Sequence, residues 1–162
     1  SRTGVNIEPE TYLELSKHPN ITGIKEANGD LSKIVKTMSL VEGRLDLYSG
    51  NDDQTYSLLA MGGKGVISVV SNVAPRQTAL LCQKFFDGDL EGSRRIQYAY
   101  LPLISALFSE VNPIPVKAAM AKLGFCENTV RLPLVPMSED KAQALFDEMA
   151  KLGLLGEGGA DR

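Results

Sequence analysis

Short apolar runs alternate along the chain with longer stretches in which apolar residues recur every three or four positions. The run Ile21-Thr22-Gly23-Ile24-Lys25-Glu26 predicts a strand over 21–26. Asp30 then caps a helix whose apolar residues, Leu31, Ile34, Val35, Met38 and Val41, fall at helical spacing, and Gly43 ends it. Leu45-Asp46-Leu47-Tyr48-Ser49 predicts a second strand and Gly50-Asn51-Asp52 the turn after it. A short helix over 53–61 stops at Gly62-Gly63. Val66-Ile67-Ser68-Val69-Val70 predicts a third strand, β-branched and without alternation, as in a buried parallel sheet. Ahead of all these, Glu8-Pro9-Glu10 opens a helix with proline in the first turn and acids at the positive end of the dipole; it stops at His18-Pro19.

From Ala74 onward the pattern is helical: 75–87, 90–109, 114–123, and a last helix from near Ser138 with Ala142, Leu145, Phe146, Met149 and Leu152 on one face. No further strand is evident. Strand–helix repeats at this spacing imply right-handed βαβ units, a parallel sheet and the α/β class. Three parallel strands followed only by helices would leave two sheet edges open. The pattern fits the C-terminal part of a (β/α)8 TIM barrel, followed by a C-terminal helical appendage. The expected segments are barrel over 1–74, the last barrel helix and helical region over 75–155, and a polar, glycine-rich, disordered tail over 156–162.

Composition narrows the chemistry. The 162 residues are 43% hydrophobic and 23% charged, ordinary for a globular protein, with a net charge of −3. Charges of both signs are interleaved and no basic stripe appears, so nucleic acid is not an expected partner. The apolar runs are too short to cross a membrane, and no secretory signal is visible at a start that looks truncated. Cys82 and Cys126 lack CxxC spacing and read as reduced thiols of a cytoplasmic protein. His18 is the only histidine, which excludes a His-based metal site and a Ser-His-Asp triad. Catalysis must then use lysine, arginine, tyrosine, carboxylates or backbone groups.

Lys25 is the leading candidate. It sits at the carboxyl end of a strand, where α/β enzymes place reacting groups. A partly desolvated amine can lose its proton near neutrality and attack a carbonyl, forming a Schiff base. Taken alone, a lysine at a strand end is more often a solvated charge. Alternation puts Lys25 and Glu26 on opposite sides of the strand, so one of the two points to the barrel interior.

Five runs together resemble the dihydrodipicolinate synthase family. Gly23-Ile24-Lys25-Glu26-Ala27 is similar to its Schiff-base lysine motif, and Ser1-Arg2-Thr3-Gly4 to the segment after its fifth barrel strand. Ser49-Gly50-Asn51-Asp52 and Gly62-Gly63-Lys64-Gly65-Val66-Ile67-Ser68-Val69 resemble its seventh and eighth strand regions. Asn112-Pro113-Ile114-Pro115-Val116-Lys117 matches a motif in its C-terminal helices. The runs occur in family order and span nearly the whole chain, which is therefore read as the C-terminal half of such an enzyme. Sister pyruvate-dependent aldolases, such as N-acetylneuraminate lyase or a keto-sugar-acid aldolase, share the lysine but generally lack the first and last runs. They form the alternative reading. A non-catalytic half-barrel acting only through a partner chain is the alternative of another class.

The resemblance implies a lyase of lysine and diaminopimelate biosynthesis, condensing pyruvate with L-aspartate 4-semialdehyde. Lys25 would form the imine with pyruvate, and Arg2 would hold a substrate carboxylate. Gly50 and Asn51 would border the second substrate, although the family often carries an acid where Asn51 stands. The backbone carbonyl of Ile67 would face the lysine, with its side chain in the core. Asn112 would approach the cavity from the helical appendage, or else cap a helix. No metal or organic cofactor is implied, because the protonated imine is the electron sink. Gly62-Gly63-Lys64-Gly65 is not a phosphate loop, since no Ser or Thr follows its GK pair. The family's relay tyrosine, its Thr-Thr pair and its lysine feedback site would precede Ser1, so the chain alone is expected to lack turnover. The parent is expected to be a homo-oligomer, a dimer of dimers, with the helix from Leu31 and the segment near Met61 as candidates for the weaker contact.

Overall fold

The computed structural model describes residues 3–156. Arg2 and the expected tail beyond Gly156 lie outside the described residues. The chain divides between Ile67 and Ser68 into two compact units. Among the described residues, no helix is long and apolar enough to cross a membrane.

The first unit is an α/β layer: α1 (Pro9–Leu15), β1 (Gly23–Glu26), α2 (Leu31–Val41), β2 (Asp46–Ser49), a 3₁₀ turn (Asp52–Gln54), α3 (Thr55–Ala60) and β3 (Gly65–Val66). The three strands are parallel, in the order β1-β2-β3. The ladder sets Ile24 beside Leu47, Lys25 beside Tyr48 and Glu26 beside Ser49. Local chemistry fixes the helix ends. Pro9 occupies the first turn of α1. The Asp30 carboxylate accepts the Lys33 N–H at 3.1 Å, which starts α2 as expected. The chain leaves α2 through two left-handed residues, Glu42 (φ 50°) and Gly43 (φ 76°), so the reversal begins one residue before the glycine.

Alternation decides what this unit buries. In β1, Ile24 and Glu26 are buried while Gly23 and Lys25 are exposed. Ile24 and Leu47 enter a core with Tyr12, Ile34, Val41, Leu45 and Leu58. Ile34, Val41 and Leu58 are wholly buried, and each such side chain contributes about 1.5–3 kcal/mol. Glu26 is a carboxylate only 5% exposed. Its Oε1 accepts the Asn28 N–H at 3.0 Å, and the Tyr12 phenol lies near enough for the two groups to interact. Burial first, then the neighbouring Glu26 carboxylate, push the Tyr12 phenol up to about 12.

The third strand is much shorter than predicted. The run over 66–70 yields only Gly65–Val66 as strand, followed by a 3₁₀ turn at Val70–Asn72. The Ile67 N–H still reaches the Ser49 carbonyl at 2.8 Å. Ser68 and Ser71 then bond to each other's backbone: Ser71 N–H to Ser68 Oγ at 2.8 Å, and Ser71 Oγ–H to the Ser68 carbonyl at 3.1 Å. Serine side chains offer the backbone an alternative to the ladder, and here the alternative wins. Val70 is buried as the run suggests, but in a turn, while Val69 is only partly buried.

The second unit holds α4 (Pro75–Phe86), α5 (Leu90–Leu107), α6 (Ile114–Lys122) and α7 (Glu139–Lys151). Its core gathers Val73, Leu103, Leu107, Ile114, Leu145 and Met149 among others. Leu145 and Met149, one turn apart on α7, are wholly buried, with Ala142, Phe146 and Leu152 packed beside them. That is the face its spacing predicts. Asp89 caps α5 through the Gly92 N–H at 2.9 Å. The buried Ser93 hydroxyl donates to the Leu81 carbonyl at 2.8 Å and ties α5 to α4.

The buried Tyr12–Glu26 contact has a measurable signature. Tyr12→Phe removes a polar neighbour from a buried carboxylate, so the protein loses about 1 kcal/mol in denaturant titrations. The fold favours the neutral phenol, whereas the unfolded chain ionises near pH 10. The Tyr12 contribution is therefore complete below about pH 10 and disappears as pH rises towards 12. Tyr12→Phe lacks that component of the alkaline dependence. Identical pH–stability curves for the two proteins would refute it.

Candidate active site

Lys25 is the next-to-last residue of β1 and faces away from the core. The loop that follows is held from within. Glu26 accepts the Asn28 N–H, the Asn28 Oδ1 accepts the Asp30 N–H at 2.7 Å, and Asp30 caps α2. The lysine thus stands on a strand end whose next four residues are each engaged or adjacent to an engaged group.

Gly50 follows β2 and donates its N–H to the Glu26 carbonyl at 2.7 Å. A Cβ at Gly50 would lie 2.7 Å from the Ala27 Cβ, 3.1 Å from the Glu26 carbonyl oxygen and 3.1 Å from the Lys25 Cε. Only glycine lets the two strand ends approach this closely, and the lysine stem runs beside the space a side chain would take.

Asn51 bonds at both ends. Its backbone N–H donates to the Ser49 Oγ at 3.3 Å and its carbonyl accepts the Ser49 hydroxyl at 2.7 Å. Its side-chain Nδ2 donates to the Ala27 carbonyl at 3.2 Å and to the Gln54 Oε1 at 3.3 Å. Ile67 follows β3, and its side chain is 50% exposed. The expectation that this side chain is core does not hold, because the chain turns at Ser68 before Ile67 can pack.

Lys25, Gly50, Asn51 and Ile67 thus all lie at the carboxyl ends of the three strands within the first unit. Asn112 belongs to the second unit, half-buried ahead of α6. The N-cap of α6 is Pro113, so Asn112 is not the helix cap. Arg2 lies outside the described residues.

Sequence reasoning missed Tyr48, Tyr12 and Gln54. Tyr48 is the ladder partner of Lys25 on the same face of the sheet. Its ring carbons lie 3.5 Å and 3.8 Å from where Cβ atoms on Gly23 and Gly65 would stand, so two glycines make room for it. The signal for Tyr48 is period two on adjacent strands, which is readable only once the register is known. Chemically, this part of the molecule offers a primary amine at a strand end, open on one face and backed by a tightly bonded loop. An amine so placed is within reach of a carbonyl compound arriving at the strand ends.

Comparison with known proteins fits this geometry. A family model described as "Dihydrodipicolinate synthetase family" matches residues 1–152. The 4-hydroxy-tetrahydrodipicolinate synthase of Thermotoga petrophila is 52% identical over 158 residues, covering 95% of this chain and 54% of the relative. That of Alkaliphilus oremlandii is 49% identical over 155 residues, covering 96% and 53%. Among solved structures, the dihydrodipicolinate synthase of Thermotoga maritima superposes with a TM-score of 0.91 at 50% identity, over 94% of this chain and 53% of that one. The Cyanidioschyzon merolae enzyme with lysine bound gives 0.90 at 38% identity, over 94% and 52%. The chain spans about half the length of the relatives it matches. The matches fix that extent and do not bear out the C-terminal placement expected from the motifs. With the match running through both units and taking in Lys25, Gly50, Asn51, Ile67 and Asn112, the chain belongs to the dihydrodipicolinate synthetase family.

Proposed function

We propose that the full-length protein carrying this chain is a 4-hydroxy-tetrahydrodipicolinate synthase, joining pyruvate to L-aspartate 4-semialdehyde through an imine on Lys25. One observation carries the reading: the Lys25 amine stands at the open carboxyl end of β1, its stem against Gly50, in a chain about half identical to synthases of that name. The Lys25 Nζ attacks the keto carbon of pyruvate and water leaves, giving a protonated imine. Loss of a methyl proton turns the imine into an enamine. The enamine carbon attacks the aldehyde carbon of the second substrate, whose oxygen takes up a proton and becomes the hydroxyl. The substrate amine then attacks the imine carbon, expels the Lys25 amine and closes the ring. Arg2 suits the carboxylate-holding role through its fixed fork of donors. The strands of the first unit read as part of a (β/α)8 barrel, with its reacting groups at the carboxyl ends of the strands. The protein is read as a cytoplasmic homo-oligomer, for which the exposed Leu31 and Val35 on α2 offer an apolar surface.

Borohydride reduction in the presence of pyruvate tests the central step. The adduct is expected on the peptide containing Lys25; a stable adduct on Lys17, Lys33 or Lys64 instead would overturn the assignment. Lys25→Arg abolishes trapping, because a guanidinium stays protonated. Gly50→Ala lowers kcat/KM on the order of a hundredfold. The new Cβ forces the strand ends apart, and a shift of about 1 Å at reacting atoms costs that much; full activity in a Gly50→Ala protein would disprove the steric argument. Arg2→Ala costs one charge-assisted contact, roughly a ten- to hundredfold fall in kcat/KM. Unchanged kinetics there would remove Arg2 from the site.

A further inference from the structure

We infer that Asn51 is a positioning residue for Lys25, a latch between the two loops that leave β1 and β2, and not a hydrogen-bond donor to the second substrate. The inference rests on the imine reading above. A side-chain amide has two N–H donors. Both hydrogens of Asn51 Nδ2 are engaged within the protein, one with the Ala27 carbonyl at 3.2 Å and one with the Gln54 Oε1 at 3.3 Å. A backbone carbonyl only accepts, so the bond to Ala27 fixes which way the amide points. No amide hydrogen is left to offer a substrate.

The latch has a clear mechanical sense. The β1–β2 ladder ends at the pair Glu26 and Ser49. One further bond, Gly50 N–H to the Glu26 carbonyl at 2.7 Å, carries the link to the strand ends. The Asn51 side chain then reaches Ala27, two residues beyond Lys25, where the chain has already left the strand. Asn51 can pull on that loop because its own backbone is held twice by Ser49, which is wholly buried. Gln54, at the end of the 3₁₀ turn, orients the amide from the other side. A carboxylate at position 51 has the same shape but only lone pairs, and would repel the Ala27 carbonyl it faces.

The experiment separates the two half-reactions in the full-length protein. Imine formation is followed with pyruvate alone, by borohydride trapping against time, so the second substrate plays no part. Overall turnover is then measured as a function of aspartate semialdehyde, and thermal melting confirms that each variant is folded. Asn51→Asp and Asn51→Ala both lack the donor and are expected to slow imine formation about tenfold at saturating pyruvate. The half-saturating aldehyde concentration stays within about twofold of wild type, because no donor to the substrate is lost. Gln54→Ala, which removes only the orienting acceptor, slows the same step by about threefold. If both Asn51 variants form the imine at the wild-type rate, the inference fails. It fails equally if the half-saturating aldehyde concentration rises instead, which would make Asn51 a substrate contact. A slow Asn51→Ala beside a normal Asn51→Asp also overturns it, since both lack the donor. Absence of any Lys25 adduct in the wild-type protein would sink the function proposed above, and the inference with it.

Discussion

Strand alternation is the constraint on which the first unit depends. In β1 it sends Ile24 and Glu26 into the helix-covered side and leaves Lys25 on the other. A buried carboxylate is expensive unless it is hydrogen-bonded. Glu26 meets that cost with the Asn28 N–H, beside the Tyr12 phenol. The same carboxylate therefore couples α1 to the loop after Lys25, and through Asn28 and Asp30 to the start of α2. Shifting the register of β1 by one residue would exchange the positions of Lys25 and Glu26, bury an amine and expose the anchor. The position of the amine and the stability of the unit are one arrangement seen from two faces.

Close approach of backbones is the second device. At Gly50 the ends of β1 and β2 come near enough that no side chain fits between them. A side chain there would cost more than the small propensity penalty that glycine carries. The bonds beyond the last ladder pair, from Gly50 to Glu26 and from Asn51 to Ala27, depend on that approach. Glycine thus acts at this point by the space it leaves for neighbouring chain, not by an unusual dihedral angle.

What was legible in the sequence was local. The cap at Asp30, the proline start of α1, the stop near Gly43 and the apolar face of α7 each depend on residues within a turn or two, and each is observed. The third strand stops early because Ser68 and Ser71 close a turn that β-branched propensity alone does not reveal. Lys25 could be picked out as a lysine at a strand end. Its ladder neighbour Tyr48, and Gln54 bonded to Asn51, could not, because register and loop-to-loop bonds join residues distant in sequence. Tyr12 reads as one more apolar position of a helix until Glu26 is placed behind the sheet. Asn51 reads from the sequence as a polar residue in the turn after the second strand. Which way its amide points depends on the Ala27 carbonyl, which no pattern of residue types encodes.

The face of the sheet that carries Lys25 is itself an argument about its use. Strands of a parallel sheet packed on both faces are rich in Val, Ile and Leu throughout. In the first unit that description fits only the helix-covered side, where Ile24, Leu45 and Leu47 lie. The opposite side of β1 and β2 presents Gly23, Lys25, Asp46 and Tyr48. A second apolar layer laid over these residues would bury a lysine and an aspartate whose charges the ladder sets two residues apart along the strand. Glycine at 23 and 65 gives the Tyr48 ring room on either side, while Lys25 and Asp46 remain exposed. A surface of that composition gains nothing as core. An amine at the strand end with an aromatic ring beside it is what the proposed reaction calls for.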